Sequence, residues 1–576
     1  MASKDIEDII GGSSHIKFRK DFKNYIDKYP FINKLTLELL NEFNIESKHD
    51  FNKYFKELHR KYKPVDKIKN SIMIYHLKYL FTINIINYET LMKYQGFLMS
   101  KTCRSLSGIL EVAIMTGPGE FSCKYNCYYC PDQKGFARSY IKEEPAVRRA
   151  AQNDFDPVEQ IYDRLSAYSL NGHHIDKLEI IVLGGTWSNY PHDYQESFIR
   201  DTYYASNTFF DIEKRPRLSL EEEKKINETS LCKIIGLTLE TRPDCINKEE
   251  INRFLKYGVT RVQIGIQHTD NYLLKKINRG CTIEDAQNAI KLLKNNGFKI
   301  LGHLMPNLPF TTPEKDTVMF DEMLYNPMNS IDEWKIYPTS VTTTSEKDNS
   351  EVYTEIERWF KSGKYVPYDE SILMNIILDV KRKIHPYIRI SRIFRDIPTN
   401  NIIGGASTPH MRQVCMQILK ENGEYCDCIR CREIKSVEID YSKIKYDVIQ
   451  YDASYGKEFF ISAYVPSEKH PLGNIIGFLR LRIDNSTEFT RKYALVRELH
   501  VYGRMTPTYI KSQENTQHKG IGKQLLKEAE RIAYENSKYH VAVISGVGVR
   551  KYYEKQGYYL KEAYMVKSLY WLKLLY

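Results

Sequence analysis

Between residues 105 and 340 short apolar runs alternate with amphipathic stretches. ILEVAIMT (109–116), KLEIIVLGG (177–185), CKIIGLTLE (232–240), RVQIGIQ (261–267), FKILGHLM (298–305) and EWKIYPT (333–339) have the length and composition of strands. Helical patterns lie between several of them, as in IEDAQNAIKLLKNNG (283–297), which Gly297 ends at the expected C-terminal position. Such alternation predicts a parallel sheet with helical crossovers, a barrel or part of one. Upstream, FKNYIDKYPFINKLTLELLNEF (22–43) spaces its apolar residues as short helices do. After the bend RDIPTNN (395–401) the pattern changes again. From about 446 the runs YDVIQYD, EFFISAYV, NIIGFLRLRI and YALVRELHVYG read as antiparallel strands, followed by an amphipathic helix (523–536) and the strand HVAVISGV (540–547). The expected fold is α/β and multidomain: a basic helical region (1–100), a partial (β/α) barrel (101–398), a linker (399–445) and a compact α/β module (446–576).

Composition narrows this picture. A chain of 576 residues is too long for one core, and 42% hydrophobic with 27% charged residues describes a folded protein. No apolar run reaches about 18 residues, the best being YLFTINIINY (79–88), so no membrane span is expected. MASKDIEDII lacks the pattern of a signal peptide, and a cytoplasmic location is the default expectation. Of the net charge of +11, the first hundred residues hold +5, from 17 Lys/Arg against 12 Asp/Glu. The cluster HRKYKPVDKIKN (59–70) interleaves cations with Tyr, which suits either an RNA backbone or a solvated helix face.

The eleven cysteines fall mostly in two short spans, which argues for metal ligation over a disulfide framework. The first span, CKYNCYYC, holds Cys123, Cys127 and Cys130, with no Cys or His in the forty residues that follow. Structural zinc wants four closed ligands. Three thiolates can instead hold three irons of a [4Fe–4S] cube and leave the fourth open. C-x3-C-x2-C after the first strand of a parallel α/β domain is the signature of the radical S-adenosylmethionine (SAM) enzymes, in which the open iron takes the amino and carboxylate groups of SAM. Gly184, Gly185 and Thr186 end the second predicted strand, where close backbone approach to the SAM amino group is needed; a tight turn is the plainer reading. In LTLETRPD, Glu240 can hold ribose hydroxyls and Arg242 the SAM carboxylate, or the two are a surface ion pair. Gln267, ending RVQIGIQ, joins this cofactor-binding set.

The second span, CDCIRC, carries Cys426, Cys428 and Cys431 and suggests a zinc site in the linker, with Cys415 and His410 as candidates for the fourth ligand; free thiols are the alternative. Farther on, Gln517, His518, Lys519, Gly520, Ile521 and Gly522 form a Q-x-x-G-x-G loop that opens a helix, where backbone N–H groups can cradle a pyrophosphate. With the helix, strand and Y-x-x-x-G-Y (Tyr553 to Tyr558) that follow, it looks like a GNAT acyl-CoA fold. The acetyl-CoA contacts then fall on Leu499, His500, Val501, the 517–522 loop, Tyr552 and Tyr553. Tyr553 can protonate a leaving thiolate or is an aromatic core residue, and Glu498 is a general base or a strand-edge charge.

A radical SAM domain joined to a GNAT domain resembles the catalytic subunit of Elongator and its stand-alone archaeal and bacterial homologues. The resemblance runs from about 101 to 568 through RSLSGILEVAIMT, EEPAVRRAAQNDFDP, DKLEIIVLGGTW, IGLTLETRPD, INRG, GHLMPNLP, WKIYPT, RIFRDIP, CDCIRCREI, VRELHVYG and YHVAVISGVGVRKYYEKQGYYLKEAYMVK. It implies carboxymethylation of tRNA at C5 of the wobble uridine (position 34). A 5′-deoxyadenosyl radical takes hydrogen from the methyl of acetyl-CoA, the carbon radical adds to uridine, and the thioester is hydrolysed. Lys335, Glu498 and Tyr553 become the catalytic candidates, and Arg389, Arg392 and Arg395, with Lys335, a basic cleft for tRNA phosphate or the CoA tail. Implied partners are tRNA through its anticodon stem-loop, and a second copy or Elongator-like accessory subunits. Protein lysine acetylation, with the cluster merely structural, is the alternative activity. Two departures stand out: YCPDQKG replaces the usual paired glycines after the cluster, and Asn307 occupies a position where relatives usually have Asp.

Overall fold

The computed structural model describes residues 25–42, 45–64, 66–100, 107–118, 123–211, 213–343, 354–434, 439–503 and 520–570. The six predicted apolar runs are strands: β1 (Leu110–Met115), β2 (Lys177–Leu183), β3 (Lys233–Thr241), β4 (Arg261–Gln267), β5 (Lys299–Leu304) and β6 (Glu333–Ile336). A short β7 (Ser340–Thr342) leaves this sheet, and β8 (Arg389–Ile393) completes it in the order β1-β2-β3-β4-β5-β6-β8, every neighbouring pair parallel. The sheet is a half-barrel, open between β1 and β8. Its outer face buries Val112, Ile180, Leu239, Val262 and Ile264 against the crossover helices, the main apolar core.

The inner face is polar. Arg261 pairs with Glu179 and, at 3.1 Å, with Glu333, which also takes Lys299 at 2.5 Å and the Ser391 hydroxyl at 2.9 Å. This explains why RISRI (389–393) was not among the predicted strands: barrel-interior charge hides its apolar alternation.

The C-terminal sheet comprises β10 (Lys445–Ala453), β11 (Gly456–Ser467), β12 (His470–Ile483), β13 (Ala494–Val501), β14 (His540–Val543), β15 (Tyr559–Lys561) and β16 (Tyr564–Ser568), ordered β10-β11-β12-β13-β14-β16-β15. Among the described strand pairs only β13–β14 is parallel, and its pairing stops at Val496 opposite Val543 although β13 continues to Val501. The two strands therefore stop pairing beyond Val496, where Arg497 and Glu498 instead meet Asp332 and Lys299 of the barrel. The helix Ile521–Glu535 packs Ile521, Leu525, Leu526 and Ala529 into the core of this sheet.

The segment 399–445 is stitched to both sides. Its β9 (Ile402–Gly405) pairs with β7. The helix Met411–Glu421 buries Met411, Cys415 and Leu419 in the barrel's core, whereas Ile429 and Ile434 join the core of the C-terminal sheet. Backbones meet directly across the main seam. A Cβ added to Gly546 would lie 1.9 Å from the Ile235 carbonyl oxygen, and one on Gly548 would lie 2.6 Å from Lys233 Cβ. Glycine is thus required in VISGVGV for close approach of the two domains.

Helices Tyr25–Lys28, Ile32–Leu40, Lys48–Tyr62, Asn70–Thr82 and Tyr88–Leu98 form a third core. It docks on the barrel through Lys78, which donates to Ser169 Oγ at 2.5 Å, and Gln95, which donates to the Gly172 carbonyl at 3.1 Å. Arg60, Lys61, Lys63, Lys67 and Lys69 of the basic cluster are exposed. No helix is long and apolar enough to cross a membrane among the described residues.

Candidate functional site

The cysteine loop lies over the C-terminal ends of the barrel strands, where such folds gather ligands. It is pinned there by Tyr128 N–H to the Ile277 carbonyl (3.1 Å) and Asn278 Nδ2 to the Asn126 carbonyl (2.7 Å). Each neighbouring strand end sends a donor to its sulfurs. Thr186, after β2, donates its hydroxyl to Cys123 Sγ at 3.2 Å. Arg242, after β3, and Arg279, after β4, direct Nη1 at Cys127 Sγ at 3.6 and 3.8 Å. A hydrogen bond from Cys130, with these two cations, holds the Cys127 thiol well below its usual value; the same bond, together with burial, holds Cys130 well above. Donors from three strand ends, aimed at Cys123 and Cys127, fit a thiolate-bound cluster. Gln267 Oε1, Tyr129 Oη and Arg279 Nε, nearby, are buried without a hydrogen-bond partner. Gln267 also holds φ of 73° at the end of β4, a strained conformation at the mouth of the barrel.

The predicted SAM residues divide. Gly184 and Gly185 form a turn with φ of 140° and 85°; a Cβ on Gly184 would lie 1.9 Å from Thr116 Oγ1, so packing against the end of β1 already demands glycine there. Glu240 accepts from Tyr140 Oη at 2.7 Å and lies 3.8 Å from His303 Nδ1, with burial raising its pKa. Arg242 presents no open fork. It donates to both carboxylate oxygens of Asp244 (2.9 and 3.0 Å) and to the Arg279 carbonyl (2.8 Å), with its guanidinium 3.5 Å from the Tyr125 ring centre.

Deeper in the barrel, Lys335 Nζ donates to Gln263 Oε1 at 2.6 Å, and His303 Nε2 lies 3.1 Å from the same oxygen. Burial, with the Lys335 charge beside it, holds His303 well below its usual pKa, so its imidazole is neutral. Sequence reasoning missed Tyr140, Gln263, His303 and Arg279. Their motifs were visible, in GHLMPNLP and INRG for the last two, but convergence of separate strand ends was not.

Three predicted residues belong to the domain seam. Glu498 is buried, paired with Lys299 (2.5 Å) and Arg480 (3.0 Å); against the penalty of burial, both cations hold it ionised. It forms an ion pair across the domain seam, with one cation on each carboxylate oxygen. Arg389 pairs with Glu433 at 2.6 Å and donates to Tyr502 Oη at 3.1 Å, so it does not face solvent. His500, which burial lowers to about 4, lies with Nε2 3.1 Å from the Ser107 carbonyl. Arg395 is bound to Glu144 (2.8 Å) and Ser139, packed over Tyr140; Arg392 is 44% exposed on its side chain and remains available beside its partner Asp396.

In the C-terminal domain, Leu499 and Val501 pack against the sheet's core, and Gly520 (φ 82°) opens the helix Ile521–Glu535. Gly522 faces Tyr552, whose Oη would lie 2.7 Å from an added Cβ. Tyr553 is buried edge-on to Tyr558, and burial raises its pKa far above the ordinary phenol value. Gln517, His518 and Lys519 lie outside the described residues.

The second triad closes up. The sulfurs of Cys426, Cys428 and Cys431 all lie within 4.8 Å of one another; Cys415 and His410 fall outside that group. Lys381 Nζ approaches Cys426 Sγ at 3.5 Å and Cys431 Sγ at 3.8 Å. Asn307, the departure from the expected Asp, adopts φ of 63° and brackets Tyr368, accepting from its N–H and donating to its carbonyl, both at 3.2 Å. A carboxylate could satisfy only the first of these. The other departure closes as a turn, with Gln133 accepting from Lys142 N–H at 2.8 Å.

Comparison with known proteins agrees with this architecture. Residues 121–320 match the radical SAM superfamily, 331–421 a radical SAM C-terminal domain, and 424–558 the acetyltransferase (GNAT) family. The tRNA uridine(34) acetyltransferase of Dehalococcoides mccartyi (strain CBDB1) is 37% identical over 469 residues, 80% of this chain and 97% of the relative. This chain belongs to the Elongator complex protein 3 family. Human Elongator complex protein 3 is 35% identical over 478 residues, covering 80% of this chain and 84% of that protein. A solved structure of the archaeal Methanocaldococcus infernus Elp3 with an N-terminal deletion superposes with a TM-score of 0.67 at 35% identity, covering 81% of this chain and all of that one. The family thus joins a radical SAM half-barrel to a GNAT domain, as the resemblance implied.

Proposed function

We propose that this protein carboxymethylates C5 of the wobble uridine of tRNA, with acetyl-CoA as carbon donor and SAM as radical source. The reading rests on one arrangement: a three-thiol loop ringed by donors at one mouth of a half-barrel whose other mouth is covered by a GNAT sheet. The names of the relatives, tRNA uridine(34) acetyltransferases among them, support the same substrate.

Cys123, Cys127 and Cys130 would hold a [4Fe–4S] cluster, with SAM over the Gly184–Thr186 turn, Glu240 and Gln267. Together these groups supply, when bound, a 5′-deoxyadenosyl radical able to take hydrogen from an acetyl methyl group. The chain's own residues set the surroundings. Gln263 Oε1 already accepts from Lys335, so the proton of neutral His303 sits on Nε2, facing the same oxygen. His303 Nδ1 and Glu240 Oε1 are then two acceptors 3.8 Å apart, a gap that suits a shared donor such as a ribose hydroxyl. Lys335 keeps a cation in the lumen, where it can orient an anionic or carbonyl oxygen. In the GNAT domain, the Gly520–Gly522 turn at the helix N-terminus would take the CoA pyrophosphate. Tyr553, kept a neutral phenol by burial, can donate a hydrogen bond to the thioester sulfur. Arg392 is the arginine of RISRIFR placed to meet tRNA phosphate.

Lysine acetylation would need a free general base, and Glu498 is committed to Lys299 and Arg480. Anaerobically reconstituted protein given SAM, a reductant, acetyl-CoA and tRNA should yield C5-carboxymethyl uridine by nucleoside mass spectrometry. Omitting either SAM or acetyl-CoA should abolish the product. Product formed without SAM would refute the proposal.

The second triad would supply three of the four ligands of a zinc ion, its sulfurs lying within 4.8 Å of one another, with the fourth ligand coming from outside the triad. With residues of this segment in both cores, its loss should loosen the domain seam. Metal analysis should find about one zinc per chain, lost in Cys426→Ser; unchanged zinc in that variant would remove the site.

A further inference from the structure

We infer that Arg242 and Arg279 form a two-guanidinium clamp on the sulfur of Cys127 that raises the reduction potential of the cluster. The inference rests on the reading of the first triad as a cluster site. Both guanidiniums are buried, and each is fixed by contacts that leave Nη1 on the sulfur. Arg242 is held by both oxygens of Asp244, by the Arg279 carbonyl and by the Tyr125 ring. Arg279 is held by the Gly265 carbonyl, to which Nη2 donates at 2.6 Å. A Cβ at Gly265 would come within 3.0 Å of that Nη2, so the glycine keeps the arginine's path open. Cys123, by contrast, receives the neutral hydroxyl of Thr186. The cationic donors thus concentrate on one ligand.

Reduction takes one electron from a low-potential donor and adds a negative charge to a centre already surrounded by thiolates. Nearby buried cations and N–H donors to sulfur stabilise that added charge, and hydrogen bonds to the sulfurs are among the levers that set such potentials. The low dielectric of a buried site strengthens both effects. Arg242 and Arg279 therefore act as positioning and tuning residues, through Cys127 rather than on the substrate. This use also accounts for the absence of an open fork on Arg242 toward a SAM carboxylate.

The test is a redox titration of the full-length reconstituted protein, with dithionite and mediators, followed by the EPR signal of the reduced cluster. Iron and sulfide are assayed in each sample. Arg242→Gln and Arg279→Gln should each shift the midpoint to more negative potential, the double variant further, and Arg279→Lys less than Arg279→Gln. A second measurement needs no substitution: in wild-type protein labelled with nitrogen-15 arginine, pulsed EPR of the reduced cluster should detect coupling to guanidinium nitrogen. Unchanged midpoints in fully loaded single variants, or no nitrogen coupling in the labelled wild type, would overturn the clamp. Failure of wild-type protein to take up any cluster would instead remove the reading of the triad on which the clamp rests.

Discussion

Replacing Cys127 with alanine should drive tRNA modification below detection while leaving acetyl-CoA binding unchanged. Cys127 is the buried member of its triad and the one on which both arginines converge. Its loss would remove one of three proposed cluster ligands and leave two guanidiniums facing a methyl group, whereas the residues proposed for acetyl-CoA belong to the C-terminal domain. Iron content should fall with activity, and calorimetric titration with acetyl-CoA should match wild type. An iron-poor variant that still modified tRNA would show the cluster to be dispensable.

The second large effect lies in the seam. Asp332 takes Arg497 at 2.6 Å, Arg480 at 3.7 Å and Lys294 at 3.9 Å; Glu458 takes Lys294 and Arg497 at 2.9 Å and Arg482 at 3.4 Å. All six side chains are essentially inaccessible to solvent. A buried network of this kind is weak evidence of net stabilisation over an apolar packing, but breaking it strands uncompensated charge. Asp332→Ala should cost about 3–5 kcal/mol, seen as a fall in thermal midpoint on the order of 10 °C. Its pH dependence has a definite sign. Against the penalty of burial, Arg497 and Lys294 hold both carboxylates below their usual range, Glu458 at about 2. A depressed folded pKa gives stability that is present above the unfolded value, near 4, and lost as pH falls through the folded value. Wild-type stability should therefore decline from about pH 4 toward 2, and its advantage over Asp332→Ala should shrink across that window. A constant difference between the two proteins would contradict this assignment.

What was legible in the sequence follows from how local each signal is. Six barrel strands were readable because their outer faces meet crossover helices and keep apolar runs. RISRI was obscured because its arginines turn into the barrel or the seam. CKYNCYYC announced itself because its three cysteines sit within eight residues. Arg279, His303, Gln263 and Tyr140 come from four different places in the chain, and only the parallel register of β3–β6 brings them near one another. Glu498 and Arg389 show the converse: a charge at a strand edge looks free in sequence, yet burial between domains consumes it. Asn307 became interpretable only once its bracket around Tyr368 was visible.

On the function proposed, the two halves of the molecule serve one reaction on RNA. The most direct measurement supplies acetyl-CoA labelled with carbon-13 at both acetyl carbons to the anaerobic, reconstituted protein with SAM, reductant and tRNA, then maps the label. Both labelled carbons should appear on C5 of uridine 34, dependent on SAM and absent in Cys127→Ala. Label found on protein lysines, with uridine 34 unmodified, would contradict the account.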